Sequence, residues 1–370
     1  MKFIALRSGI KEAISIIEKA VGENTNLPIL KNILIEARDG VIIFSATNLE
    51  IAINHKVAGK VIEDGKVSSP LNLLSSLIGN IQTDRLNFES KNNNLEVTTD
   101  NYDAVINGLS PDDFPITPTI KNKEKFITIK GAIIKEAIQQ VVVASQYSDL
   151  RPELNSILFD FSIEKLTLAA TDGFRLAEKS LPSVLFSSKN KEPFRILVPL
   201  RTTLEIARVV REEDEVKIFW DENQVLITTE STELISRLIE GNFPDYSSII
   251  PLEFGAEIVV DREEFASAIR LAGVFGQKNS EVKMKIYESK KAVEVVSADQ
   301  ALGENKQTLP AKIKGDIKEI FFNWRFLADA TKGIKTEDMF LGLQEDAGPA
   351  LIRSTSDNSY FYILKPILKA

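Results

Sequence analysis

The sequence predicts an α+β protein in which one helix-and-hairpin design is used three times. Three observations predict it. An amphipathic helix stripe returns twice, a second strand-to-helix signal between the stripes also returns twice, and alternating strand segments fill the gaps in the same order each time. A chain of 370 residues with 44% apolar content can bury two or three separate cores, and the repeat selects three.

The first helix of each repeat follows a short alternating strand. In KFIALRSGIKEAI, Ile10, Ala13, Ile14 and Ile17 have the i, i+3, i+4, i+7 spacing of one helix face. The stripe returns 124 residues later as Ile134, Ala137, Ile138 and Val141, and 131 residues further on as Phe265, Ala268, Ile269 and Ala272. The second helix starts at Pro70 in VSSPLNLLSSLI, at Pro199 in ILVPLRTTLEIA and at Asn323 in IFFNWRFLADAT. Proline suits a first turn because it has no N–H to leave unpaired, and asparagine suits it because its side chain can accept one. Hairpins lie between the helices. ILIEARDGVIIFSATN, ILFDFSIEKLTLAATD and MKIYESKKAVEVVSAD each give two alternating runs and end on Asn48, Asp172 and Asp299. LEVTTDNYDAVING, VLITTESTELISRLIEG and ALIRSTSDNSYFYILK each supply another. A helix stripe and one side of an antiparallel sheet bury each other, which gives the α+β class. The expected domains are 1–120, 121–252 and 253–370, joined through the polar or turn-like links KNKEKF and PLEFGAE.

Composition excludes much chemistry. With no cysteine and one histidine, His55, the chain has no disulfide, no thiolate nucleophile and no histidine pair for a metal or triad. His55 lies in the alternating stretch LEIAINHKVAG and reads as a solvated or satisfied strand residue. Phosphate-loop and dinucleotide-loop glycine patterns are absent, as are carboxylates at metal spacing. In ATDGFRL, Asp172 could be cast as a catalytic acid. Its position matches Asn48 and Asp299, however, so it reads as a turn residue whose oxygen accepts backbone N–H groups. No catalytic residue, metal or cofactor is expected. The N-terminus has no apolar run of signal or membrane length, so a soluble, cytoplasmic protein with no membrane partner is expected. The 45 basic and 53 acidic residues leave a net charge of −8, which argues against general phosphate binding on average. The six helical segments nevertheless sum to +4 and leave −12 to the rest.

The order NLPILKNILIEA, ATNLEI, DDFP, RPELNSILFDF, ATDGFRLAEKS, LIEGNFPDY and YFYILKPILKA resembles the bacterial DNA polymerase III beta subunit family, the replicative sliding clamps, from one end of the chain to the other. The resemblance implies the DNA clamp fold, closed as a head-to-tail homodimer into a ring around double-stranded DNA of any sequence. Weakly basic helices would line the hole, with Lys11, Lys135, Arg201, Arg208, Arg211, Arg325 and Lys332 facing DNA. It implies a peptide-binding pocket formed by Arg151, Leu154, Thr171, Gly173, Arg175, Leu176, Pro244, Ser248, Ile249, Ile363, Leu364, Pro366 and Ile367. Ring closure would use Ile106 against Val274 and Phe275. The implied partners are the replicative DNA polymerase catalytic subunit, the clamp loader and repair proteins carrying short clamp-binding peptides. The implied location is the bacterial cytoplasm, at the nucleoid during replication. Some residues depart from the family. The second helix of repeat one has no basic residue, and Asn24, Pro152-Glu153, Ser248, Lys365 and Ala104 stand where other residue types are common. The other reading is an acidic three-domain interaction scaffold that does not encircle DNA.

Overall fold

A computed structural model describes residues 1–22, 27–120, 123–147, 150–276, 280–315, 317–345 and 348–368. Asn24 and part of the first link lie outside the described residues. Six α-helices occur among them: α1 (Arg7–Ile17), α2 (Leu71–Asn80), α3 (Gly131–Val141), α4 (Leu200–Val209), α5 (Arg262–Phe275) and α6 (Trp324–Gly333). They stand two to a repeat, at the places the stripes predict. Asp261 caps α5 by accepting from the Glu264 N–H at 2.7 Å, and Asn323 caps α6 by accepting from the Arg325 N–H at 3.0 Å. Pro70 and Pro199 each sit one residue before the first helical residue.

The described residues gather into two compact units, one of residues 1–132, 187–190 and 205–238, the other of 133–186, 191–204 and 239–370. Within the first, Ile10, Ala13, Ile14 and Ile17 of α1 are buried on strands Val41–Thr47 and Ile51–Val57. Phe3 and Phe88 stack at 4.7 Å in the smaller sheet. Within the second, Phe265, Ala268, Ile269 and Ala272 of α5 are buried against strands Ala292–Asp299 and Gly303–Pro310. Burying one such large side chain stabilises by about 1.5–3 kcal/mol, which is why the stripe spacing is an informative signal. Gly273 lets α6 approach α5, since a Cβ there would lie 2.7 Å from the Trp324 ring.

Backbone pairing ignores the repeat boundaries. In the first unit, strand Ile51–Val57 of repeat one pairs antiparallel with Thr232–Arg237 of repeat two, Leu234 opposite Ile53. Four of the five strands between Asn32 and Pro70 thereby join strands of repeat two in one nine-stranded sheet, and the other, Gly59–Glu63, belongs to the five-stranded sheet. In the second unit the same move joins repeats two and three. Arg175–Pro182 pairs with Tyr360–Leu364, Leu176 opposite Ile363, inside another nine-stranded sheet. Two smaller sheets keep open edges. The five-stranded sheet ends on Asp103–Ile106, and the four-stranded sheet ends on Gly303–Pro310.

His55 sits at the first of these junctions. It is 4% exposed, and its Nδ1 lies 2.8 Å from the Thr232 hydroxyl across the paired strands. Burial lowers its pKa from the ordinary 6.5. The folded state therefore holds the neutral ring more firmly than the unfolded chain does. Stability attributable to this site is complete above pH 6.5 and falls as the pH drops below it, because the unfolded state gains the proton first. His55→Gln should show a smaller loss of melting temperature between neutral and mildly acidic pH than the parent chain, measured by thermal denaturation in matched buffers.

A candidate peptide-binding cleft

The second junction carries the site. At its mouth lies the turn Thr171 to Arg175, and the chemistry of the turn is repeated across the molecule. Asp172 Oδ1 accepts from the N–H groups of Phe174 and Arg175 at 2.9 and 3.0 Å. Asn48 Oδ1 accepts from Glu50 and Ile51 at 3.0 and 2.9 Å, and Asp299 Oδ1 from Ala301 and Leu302 at 2.8 and 3.1 Å. The turn reading of Asp172 therefore holds at the atomic level. Thr171 adds a second brace, its hydroxyl accepting from Gly173 N–H at 3.1 Å and donating to the Arg175 carbonyl at 2.7 Å. Gly173 has φ +89, a conformation that side chains disfavour.

Arg175 locks the turn to helix α6. Its Nε donates to Asp172 Oδ2 at 2.9 Å, an Nη to Asp329 Oδ2 at 2.6 Å, and its guanidinium lies 4.2 Å from the Phe326 ring centre. The Arg175 and Asp172 side chains are 10% and 3% exposed. Burial opposes the charge, but the Tyr362 hydroxyl and the two carboxylates outweigh it and raise the arginine pKa above its ordinary value. Behind the turn, Leu176 and Ile363 form an apolar cluster with Phe340 and Leu351, and Tyr246, Ile250 and Phe254 pack on it. The Tyr246 hydroxyl donates to Glu178 at 2.7 Å, and burial first, the Glu178 charge second, keep it protonated by raising its pKa.

These residues enclose a cleft of about 740 Å³. Ten of the thirteen expected pocket residues line it: Arg151, Leu154, Thr171, Gly173, Arg175, Leu176, Pro244, Ser248, Ile249 and Ile363. Leu364, Pro366 and Ile367 do not. Alternation along the strand turns Leu364, which is fully buried, to the opposite face from Ile363, and the Ile367 N–H bonds to the Phe321 carbonyl at 2.8 Å on the other side. Lys365, two residues from Ile363, lines the cleft instead. The sequence reading also missed Phe174, Asp245, Tyr246, the segment Ile250 to Glu253, Gln344 and Pro349. The FPDY motif and the PLE link already pointed to several of them. The first junction has a counterpart groove of only about 180 Å³, lined by Thr47, Leu49, Ala52, Ile235 and Arg237 among others. Where the large cleft has Gly173, this groove has Leu49, at φ +77.

The other expected residues are placed less uniformly. Lys11, Arg201 and Arg325 are exposed on or beside their helices and Lys135 is half-buried. Arg208 pairs with Glu205 at 2.8 Å, Lys332 with Asp329 at 2.7 Å, and Arg211 with Glu12. Val274 is 55% exposed and Phe275 half-buried at the end of α5. Ile106 is 1% exposed, because alternation points it into the five-stranded sheet's core, and Val105 is the exposed apolar residue of that edge. Among the described residues no helix is long and apolar enough to cross a membrane, and no group of three His, Asp or Glu could hold a metal.

Three α+β repeats welded by shared sheets, with one large cleft at the second weld, define a protein of the clamp class. Comparison with known proteins agrees. Residues 1–118 match the N-terminal domain, 128–245 the central domain and 247–367 the C-terminal domain of the DNA polymerase III beta subunit. The chain is 26% identical over 369 residues to a beta sliding clamp of Chlamydia pneumoniae, covering 99% of each. It also superposes on the DNA polymerase III beta subunit of Thermotoga maritima with a TM-score of 0.90 at 25% identity, and on the sliding clamp of Bacillus subtilis with 0.94 at 24%, over 100% of each chain. The chain belongs to the DNA polymerase III beta subunit family, and its function is that of a DNA sliding clamp. These relatives do not favour the acidic scaffold.

Asp172→Asn keeps the turn-forming oxygen but removes the anion facing Arg175. Breaking a buried pair from one side costs about 3–5 kcal/mol, and Arg175 keeps its second partner, Asp329. A loss of about 2–3 kcal/mol in urea unfolding is therefore expected, and an unchanged midpoint would show that the pair contributes little.

Proposed function

We propose that two copies of this chain close head to tail into a ring around duplex DNA and hold partner proteins by short peptides seated in the large cleft. One observation carries the proposal. Each junction within the chain joins the last strand of one repeat to a strand of the preceding repeat, Thr232–Arg237 to Ile51–Val57 and Tyr360–Leu364 to Arg175–Pro182. The two remaining members of these series, Asp103–Ile106 and Gly303–Pro310, are edge strands of the two smaller sheets. Pairing them between copies completes the pattern and removes exposed sheet edges.

The helices support the same closure. At the internal junctions Glu12 of α1 pairs with Arg211 beyond α4, and Gln140 of α3 donates to the Gly333 carbonyl of α6 at 2.7 Å. The equivalent contact at the closing junction sets α5 of one copy against α2 of the other. Helix α5 presents Leu271 and Val274, 47% and 55% exposed. Beside α2 lies a groove of about 500 Å³ lined by Leu73, Leu77, Ile81 and Tyr102. Apolar surface of this kind on both sides fits two identical head-to-tail interfaces that close a ring.

Inside the ring, helix cations contact phosphates without reading bases, so the duplex can slide while topology prevents escape. The net charge of −8 then leaves the exterior repulsive to DNA. The cleft takes the apolar anchors of peptides from the polymerase catalytic subunit, the clamp loader and repair proteins, its few polar groups fixing their direction.

Sedimentation should give a dimer of twice 41.2 kDa, converted to monomer by Leu271→Glu with Val274→Glu. A dimer that persists would place the interface elsewhere. The ring should stay on nicked circular DNA and leave once the circle is cut, whereas equal retention on both forms would refute encirclement. Neutralising Arg201 and Arg325, which have no carboxylate partner among the described residues, should lower the salt dependence of DNA binding by about one unit of slope each. Neutralising the paired Arg208 and Lys332 should change it less.

A further inference from the structure

We propose that Lys365 makes the cleft selective for peptides with a carboxylate two residues from the apolar anchor. The inference rests on the cleft being the peptide site. Three cations line it, and two are already answered: Arg151 Nε lies 3.1 Å from Glu153, and Arg175 is held between Asp172 and Asp329. Among the described residues no carboxylate lies within 4.0 Å of the Lys365 ammonium. The exposed Lys365 is thus the cation of the cleft whose charge a ligand can complete.

Its position is fixed by the backbone. The Lys365 N–H donates to the Phe174 carbonyl at 2.9 Å, tying the end of the strand to the Gly173 turn. Ile363, on the same face two residues earlier, forms the apolar floor with Leu176 opposite. Two residues of strand span about 7 Å and return to one face. An extended peptide has the same period, so an anchor on Ile363 and Leu176 brings the side chain two positions away to Lys365. The cleft's acids, Asp245 and Glu253, belong to the segment between repeats and not to this strand. They disfavour a carboxylate on their own side, which makes the preference depend on position.

The test measures affinities of extended peptides with one leucine anchor and Asp, Asn or Lys two residues before or after it, by fluorescence anisotropy with the full chain. At one of the two placements Asp should bind about 3- to 10-fold more tightly than Asn, and Lys more weakly still. The gap should shrink as salt rises from about 50 to about 500 mM. Lys365→Met should remove the Asp/Asn ratio, and Lys365→Glu should invert it in favour of Lys. Equal affinities at both placements, or an Asp preference surviving in Lys365→Glu, overturn the proposal. If peptides bind without charge preference and Leu176→Asp abolishes that binding, the charge reading falls and the cleft stands. If no peptide binds, or Leu176→Asp leaves binding intact, the cleft assignment falls with it.

Discussion

Antiparallel pairing of strand Arg175–Pro182 with strand Tyr360–Leu364 is the constraint on which the rest of the site depends. Register is absolute in a sheet, because a slip of one residue exchanges its two faces. With Leu176 opposite Ile363, two residues far apart in sequence become one apolar floor. With Arg175 opposite Leu364, the guanidinium emerges where α6 can answer it through Asp329. The Gly173 turn and the C-terminal segment then meet through a further bond from Lys365 N–H to the Phe174 carbonyl. The apolar floor, Leu176 with Ile363, takes its place from that pairing.

Much of this architecture could be read from the residues, and the reason is periodicity. Stripes such as Ile10, Ala13, Ile14 and Ile17 on α1 and Phe265, Ala268, Ile269 and Ala272 on α5 face a sheet, and burial of a whole face tolerates little variation in spacing. Turn chemistry was readable for a similar reason. Asn48, Asp172 and Asp299 do the same local work, satisfying two backbone N–H groups each, and local work leaves a local signal. What could not be read was partnership at a distance. The answering of Arg175 by Asp329 depends on how α6 packs. Leu364 was placed in the cleft and Ile106 on an exposed edge because resemblance transfers positions, whereas the strand's alternation decides which way a side chain faces. The residues from Ile250 to Glu253 lie in a link with no period, and only the folded structure brings them to the cleft wall.

Charge illustrates the same limit. A helix sum of +4 counts every cation equally, yet the fold divides them. Arg208, Arg211 and Lys332 are held by Glu205, Glu12 and Asp329, while Lys11, Arg201 and Arg325 stand exposed. Helical segments summing to +4 and remaining residues carrying −12 place the two signs of charge on different parts of the sequence.

The turn that carries glycine at 173 carries leucine at 49, in nearly the same left-handed conformation. Left-handed backbone costs a residue with a Cβ about 1–2 kcal/mol, so the first junction keeps its leucine at an energetic cost, and its groove is about a quarter the size of the other. The two junctions share one kind of strand pairing and differ in the residue that fills the turn beside it. Under the proposed function, a partner peptide therefore meets two unequal openings in each copy, a roomy cleft at the second junction and a narrow groove at the first.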